Sequence, residues 1–177
     1  MRVRILLVIA VLALVASSAA AQVKKSEMPG VRNYSRVDAT IGCGGAVDPT
    51  AMSALKKEGY VSVINLRLAN EAGADVDASR AAAQTAGLKY IHLPFNAAAP
   101  DPKVVSDFLG AVAEKSNQPV FIHCGSANRV GAVWMIKRVL QDGWAVDRAQ
   151  TEAEAIGLQN PQLVAFAKTY ITEHAKK

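Results

Sequence analysis

Pro119-Val120-Phe121-Ile122-His123-Cys124-Gly125-Ser126-Ala127-Asn128-Arg129-Val130-Gly131 is the stretch from which the rest of the chain is read. Pro119 to His123 is short, apolar and rich in strand-forming residues, which predicts a buried strand that delivers Cys124. Helical spacing begins about five residues later and predicts a helix from about Arg129 to Gln141, ended by Gly143. The residues between, Gly125, Ser126 and Ala127, are small. A short loop entering a helix gathers backbone N–H groups into a nest, and the positive helix end strengthens its hold on an anion. Such surroundings stabilise a thiolate and lower a cysteine pKa from about 8.5 to roughly 3.5–7.5. Arg129 adds a planar fork that grips an oxyanion through two N–H groups, as a lysine cannot. Cys124 is therefore the candidate nucleophile, Gly125, Ser126, Ala127 and Asn128 the candidate cradle, and Arg129 the candidate clamp.

Working towards the N-terminus, strands and helices alternate. Val37 to Ile41 reads as a strand ending in the tight turn Gly42-Cys43-Gly44-Gly45. Asp48 caps a helix with Pro49 in first place, running to about Glu58 and stopped by Gly59. Val61 to Leu66 is the second strand, Val76 to Ala86 an alanine-rich helix closed by Gly87, and Lys89 to Leu93 the third strand, broken by Pro94. Asp101-Pro102 opens a helix with Val104, Val105, Phe108, Leu109 and Val112 at helical spacing. Two further helices, about Val146 to Ile156 and Pro161 to Ala175, complete the chain. Strands separated by helices of this length pair in parallel, so the expected fold is three-layer α/β. A mainly parallel central sheet of about four strands would carry helices on both faces. Ligands of such sheets bind beyond the C-terminal strand ends, where Cys124 falls.

The N-terminus reads differently. Arg2 and Arg4 precede the apolar run Ile5 to Val15, and Ala19-Ala20-Ala21 comes before Gln22. This predicts a secretory signal peptide over residues 1–21, a periplasmic or secreted mature chain, and no membrane attachment after cleavage. Residues 22–36 are expected to be a polar arm or linker, and 37–177 one domain. Loss of Arg2 and Arg4 takes the net charge from +5 to +3. A balance that modest, with scattered basic residues and few aromatics, argues against nucleic acid as a partner. Cys43 and Cys124 are the two cysteines. In an oxidising compartment they would by default form one disulfide, a reading that competes with a free nucleophile at Cys124.

The segment Val120 to Gly131 resembles the active-site loop of the cysteine-dependent phosphatases, whose signature is His-Cys, five residues, then Arg. The preceding βα order is similar to their dual-specificity branch. Val63-Ile64-Asn65-Leu66-Arg67, with Glu71 and a shortened Cys loop, resembles the bacterial beta-lactamase-hydrolase-like phosphatase-like domains. The likeness covers most of Val37 to Lys177. It implies a phosphatase-like fold and hydrolysis of phosphate monoesters through a cysteinyl-phosphate. It also implies no metal or cofactor, and a phosphorylated small molecule or phosphoprotein as partner. The chain departs from the phosphatase signature in three ways: four residues rather than five separate Cys124 from Arg129, Val130 replaces the usual Ser or Thr, and the glycine near the loop's end is missing. Two alternatives follow. A six-residue loop is the length used by rhodanese-like sulfurtransferases, which would put a persulfide on Cys124. A loop without the hydroxyl could also serve a non-catalytic anion-binding module.

Several residues carry two readings. Asp101 sits where related phosphatases carry the acid that protonates the leaving group, and it is equally a helix N-cap ahead of Pro102. Arg67, with Glu71, either lines the substrate site or forms an ordinary ion pair. His123 is expected to support the loop as a hydrogen-bonding group rather than act as a base. His92 is expected to be structural and His174 solvated. Val130, Val133, Trp134 and Met135 form a core stripe, and no spacing of His, Cys or carboxylates suggests a metal site.

Overall fold

The computed structural model describes residues 23–175. The expected signal peptide, residues 1–21, lies outside the described residues. The strands are β1 (Lys24–Lys25), β2 (Ser35–Arg36), β3 (Ile41–Gly44), β4 (Ser62–Asn65), β5 (Lys89–His92) and β6 (Val120–His123). The helices are α1 (Met52–Lys57), α2 (Val76–Thr85), α3 (Pro102–Ala113), α4 (Asn128–Leu140), α5 (Val146–Ile156) and α6 (Pro161–His174). Short 3-10 turns precede α1 and β6.

The six strands form one sheet in the order β1-β2-β3-β6-β4-β5. β3, β6, β4 and β5 run parallel, and β1 and β2 are added antiparallel at the β3 edge. The chain passes from β4 through α2 out to β5, then returns through α3 to insert β6 between β3 and β4. The last strand is thus the central one, and it is buried throughout. Its side chains alternate between faces. Phe121 joins the layer built on α1 and α2, with Met52, Leu55, Tyr60 and Ala83. Val120, Ile122 and Cys124 join the layer built on α3 to α6, with Phe108, Trp134, Ile156 and Leu163. No helix among the described residues is long and apolar enough to cross a membrane.

One expectation changes. The first parallel strand is not Val37 to Ile41 but Ile41–Gly44, so Gly42, Cys43 and Gly44 lie within the sheet rather than in a turn. Glycine serves here for close approach rather than for bending: a Cβ on Gly42 would collide with the Tyr60 hydroxyl, and one on Gly44 would lie 2.8 Å from the Phe121 ring. The polar stretch before it contributes β1 and β2 to the edge of the sheet.

Helix α4 follows β6, and its placement sets the loop between them. Nine of its thirteen residues are buried. At Gly131 an added Cβ would lie 2.8 Å from both the Ala153 carbonyl and Leu158 Cβ, so α4 rests directly on the end of α5. A buried polar cluster locks the pair. Glu152 accepts from Trp134 Nε1 at 2.8 Å and from Arg138 Nε at 2.6 Å, and Arg138 also reaches Asp38 and Asp142. Each buried charge has a partner, without which it would be strongly destabilising.

Candidate active site

Cys124 follows the last residue of β6, at the C-terminal edge of the parallel strands. Its amide donates to the Gly44 carbonyl at 3.3 Å, and its side chain is buried against the α3–α6 layer. The next two carbonyls are turned outward. Gly125 O accepts from the Ala46 amide at 3.0 Å, and Ser126 O lies 3.5 Å from Asn33 Nδ2. In a trans peptide the carbonyl and the following N–H point opposite ways, so the amides of Ser126 and Ala127 face away from these partners. Ala127 then takes a left-handed conformation, φ 73°, and α4 begins at Asn128. Amides in the first turn of a helix have no carbonyl four residues back to bond. The loop and the first turn of α4 thus hold backbone N–H groups with no intrahelical carbonyl to bond.

Ala127 is not a glycine, the residue that adopts this conformation freely. Left-handed backbone costs an L-residue roughly 1–2 kcal/mol, and here tertiary packing enforces it. Gly157 supplies the room, since a Cβ there would approach Ala127 Cβ to 3.0 Å. Asn128 is pinned: its Oδ1 accepts from the amides of Gln159 at 2.7 Å and Asn160 at 2.8 Å, and its Nδ2 donates to Ser126 Oγ at 3.2 Å. This side chain holds the α5–α6 connection against the loop.

Arg129 projects back from α4 into the site, 9 % exposed. Its Nη1 and Nη2 meet the two oxygens of Glu71, the Nη2–Oε2 contact being 2.8 Å, and Nη1 also donates to Phe95 O at 3.1 Å. A guanidinium has five N–H groups. Three are engaged here, so Nε–H and the second Nη2 hydrogen, which share one edge, are left for an oxyanion. Burial opposes the charge, but the hydrogen bonds that Arg129 donates to Glu71, together with the nearby Cys124 sulfur, raise the Arg129 pKa. Glu71 in turn accepts from Leu68 N at 2.8 Å and Arg67 Nε at 3.3 Å. Burial alone would raise its pKa, yet Arg129, the Leu68 amide and Arg67 hold it at about 2.

Arg67 gives two further donors to the carbonyls of Ala72 at 2.6 Å and Gly73 at 2.7 Å. It thereby rivets the loop that carries Glu71 to the end of β4. His123 faces the opposite layer, with its ring stacked 6.3 Å from Phe121. Burial first, then the charge of Arg67, depresses its pKa to about 3, so it is neutral, and neither ring nitrogen has a well-aligned partner among the described residues. Asp101 lies on the exposed connection between β5 and α3, where its Oδ1 accepts from Lys103 N at 2.8 Å as the N-cap of α3. Val130 is fully buried in the core.

The structure therefore brings Cys124, Gly125, Ser126, Ala127, Asn128 and Arg129 into one loop, with Arg67 behind it. Glu71, for which the sequence allows either a site role or a surface pair, stands in direct contact with Arg129. The signal for it is its spacing after β4: a loop residue beyond the C-terminal end of a strand adjacent to β6 faces the same edge. Cys43 and Cys124 are both free thiols. Cys43 is paired in register with Ile122, and burial followed by the nearby carboxylates of Glu152 and Asp38 pushes its thiol pKa well up. No cluster of metal-ligating residues occurs among the described residues.

A thiol and an arginine facing each other across a nest of amides, at the end of the central strand of a three-layer sheet, define a cysteine-dependent phosphatase-like domain. The family model for the beta-lactamase hydrolase-like protein, phosphatase-like domain, matches residues 34–141, and the chain belongs to that family. Solved structures with the same fold include P. aeruginosa TpbA in complex with pTyr, at 19 % identity and TM-score 0.66, covering 90 % of this chain and 93 % of that one. Another is the core catalytic domain of the PP-IP phosphatase SIW14 from S. cerevisiae, at 19 % identity and TM-score 0.67, covering 82 % and 88 %. A DUF442 protein from Shewanella putrefaciens CN-32, at 22 % identity and TM-score 0.71, covers 83 % and 96 %. A search of curated proteins gives no match. The sulfurtransferase reading of the six-residue loop gains no support from these comparisons.

Proposed function

We propose that the chain hydrolyses phosphate monoesters through a cysteinyl-phosphate. The observation that carries this reading is the donor arithmetic at Arg129: Glu71 and Phe95 O engage three N–H groups and leave a two-pronged edge beside Cys124. In the first step Cys124 Sγ attacks phosphorus, an S–P bond forms and the ester P–O bond breaks. The loop amides and the free edge of Arg129 hold the equatorial oxygens as negative charge develops. Asp101 is assigned protonation of the departing oxygen. Water then cleaves the S–P bond and releases phosphate. A phosphorylated small molecule or phosphoprotein is the proposed substrate class, and phosphotyrosine is the first probe because TpbA has been crystallised with it.

The test is turnover of 4-nitrophenyl phosphate and phosphotyrosine by wild type, Cys124→Ser and Arg129→Ala. Loss of turnover in the first variant, and a drop of about 10²–10³ or more in the second, is expected. Thiosulfate turnover in the presence of cyanide, without phosphatase activity, would overturn the reading. We also propose export, with residues 1–21 as the leader. Periplasmic protein beginning at Gln22 is the expected result, and retention of Met1 in the isolated protein would refute it.

A further inference from the structure

β4 ends at Asn65, which is buried and sits in register with His123 of β6 on one side and His92 of β5 on the other. In-register residues of parallel neighbours share a face of the sheet, so Asn65 faces the layer opposite to the one that buries Cys124. Both ends of its amide are engaged. Oδ1 accepts from Arg67 N at 2.8 Å, and Nδ2 donates to Tyr90 Oη at 2.8 Å. The first bond is the turn an asparagine side chain makes with backbone two residues on. The Tyr90 ring is covered in turn by the Arg80 guanidinium, 5.2 Å from its centroid. His92 Nε2 donates to Arg67 O at 2.8 Å. Side chains from one row of the sheet therefore grip both backbone polar groups of residue 67.

From residue 67 the hydrogen bonds run unbroken to Arg129. Arg67 Nε donates to Glu71 Oε2, and its Nη1 and Nη2 hold the carbonyls just beyond Glu71. Glu71 Oε2 accepts from Arg129 Nη2 at 2.8 Å. Phe95, whose carbonyl accepts from Arg129 Nη1, is tied by its own amide to Leu66 O at 3.1 Å. We infer that Asn65 is a positioning residue for Arg129: it fixes the direction in which the chain leaves β4 and, through Arg67 and Glu71, the direction in which the free edge of Arg129 points. The inference rests on the phosphatase reading. Asn65 is buried on the face away from Cys124, so it acts through this chain of bonds and not on substrate. Without its Oδ1, Arg67 N becomes a buried donor with no partner, and the turn relaxes to satisfy it. Glu71 moves with that turn, and a misplaced guanidinium holds the transition state less well.

A double-mutant cycle on kcat/KM for 4-nitrophenyl phosphate tests this. Asn65→Ala should lower kcat/KM roughly 2–30-fold when Arg129 is present. In Arg129→Ala it should leave the residual rate unchanged, because no guanidinium remains to be aimed. A merely structural residue would cost the same in both backgrounds. Tyr90→Phe removes the hydroxyl that anchors Asn65 Nδ2 and should show a smaller loss, again confined to protein with Arg129. It carries the test if urea unfolding shows Asn65→Ala to be unfolded under assay conditions. Equal losses in the two backgrounds, or no loss in either, overturn the inference and leave the phosphatase proposal standing. If wild type hydrolyses no ester, that proposal fails, and the inference is read on inorganic phosphate bound to Cys124→Ser. Weaker phosphate binding on adding Asn65→Ala then upholds it, equal binding overturns it, and no phosphate binding at all refutes both.

Discussion

Glu71→Gln replaces one carboxylate oxygen by an amide and leaves the side-chain shape intact, so it isolates the charge that faces Arg129. In the native structure that carboxylate receives Arg129 end-on, the Leu68 amide and Arg67, and its pKa falls from 4.5 to about 2. A tenfold change in proton affinity corresponds to about 1.4 kcal/mol. The side chain is one-quarter exposed, however, and water screens part of that. The expected loss of stability at pH 7 is roughly 1–3 kcal/mol, between the values for exposed and buried pairs. For a domain of this size the melting temperature should fall by about 3–10 °C. The pH dependence follows from the lowering of this pKa. A carboxylate with a lowered folded pKa stabilises the fold fully above its unfolded pKa, and loses that contribution as pH falls through the folded value. The window here runs from about 4.5 down to about 2. Denaturant unfolding of wild type and variant at pH 7, 5 and 3 should show equal differences at the first two values, and a difference smaller by roughly half at pH 3. Turnover should fall about 10–100-fold, because Arg129 loses the partner that orients its free edge. Equal stability at pH 7, or a difference that does not shrink at pH 3, would refute the argument that Glu71 acts as a charged anchor.

Iodoacetamide at neutral pH should modify Cys124 before Cys43, because Cys124 follows β6 at the mouth of the loop whereas Cys43 lies within the sheet with its thiol pKa pushed up; peptide mass mapping that finds Cys43 labelled first in folded protein contradicts this. Asp101→Asn keeps an N-cap of about equal quality, so melting temperature should hold. Turnover of an ester with a poor leaving group should drop by about 10²–10⁴, and an equal effect on 4-nitrophenyl phosphate would reduce Asp101 to a cap. Gly131→Ala forces a methyl to within 2.8 Å of the Ala153 carbonyl and Leu158 Cβ. It should destabilise by about 1–3 kcal/mol, and a variant as stable as wild type in urea would show that α4 does not press on α5 as described.

What the amino-acid order settles by itself is whatever depends on neighbours along the chain. The apolar run before Cys124, the small residues after it and the helical spacing beyond Arg129 place the loop at a strand-to-helix junction, and α2, α5 and the caps at Asp48 and Asp101 fall where capping residues and periodicity put them. The order of the strands is beyond its reach, because insertion of β6 between β3 and β4 is decided by which faces can be buried together. The strand Ile41–Gly44 is hidden for a related reason. Its glycines look like turn residues locally and are required only because Tyr60 and Phe121, far along the chain, press against them. Likewise Glu71 could be an ordinary surface acid until folding brings it to Arg129, 58 residues away in sequence. Ala127 could be any alanine until the packing of α4 on α5 imposes its left-handed backbone. Local propensity reports short-range sterics and burial pattern, whereas register, close approach and charge pairing are properties of surfaces that exist only once the chain has folded.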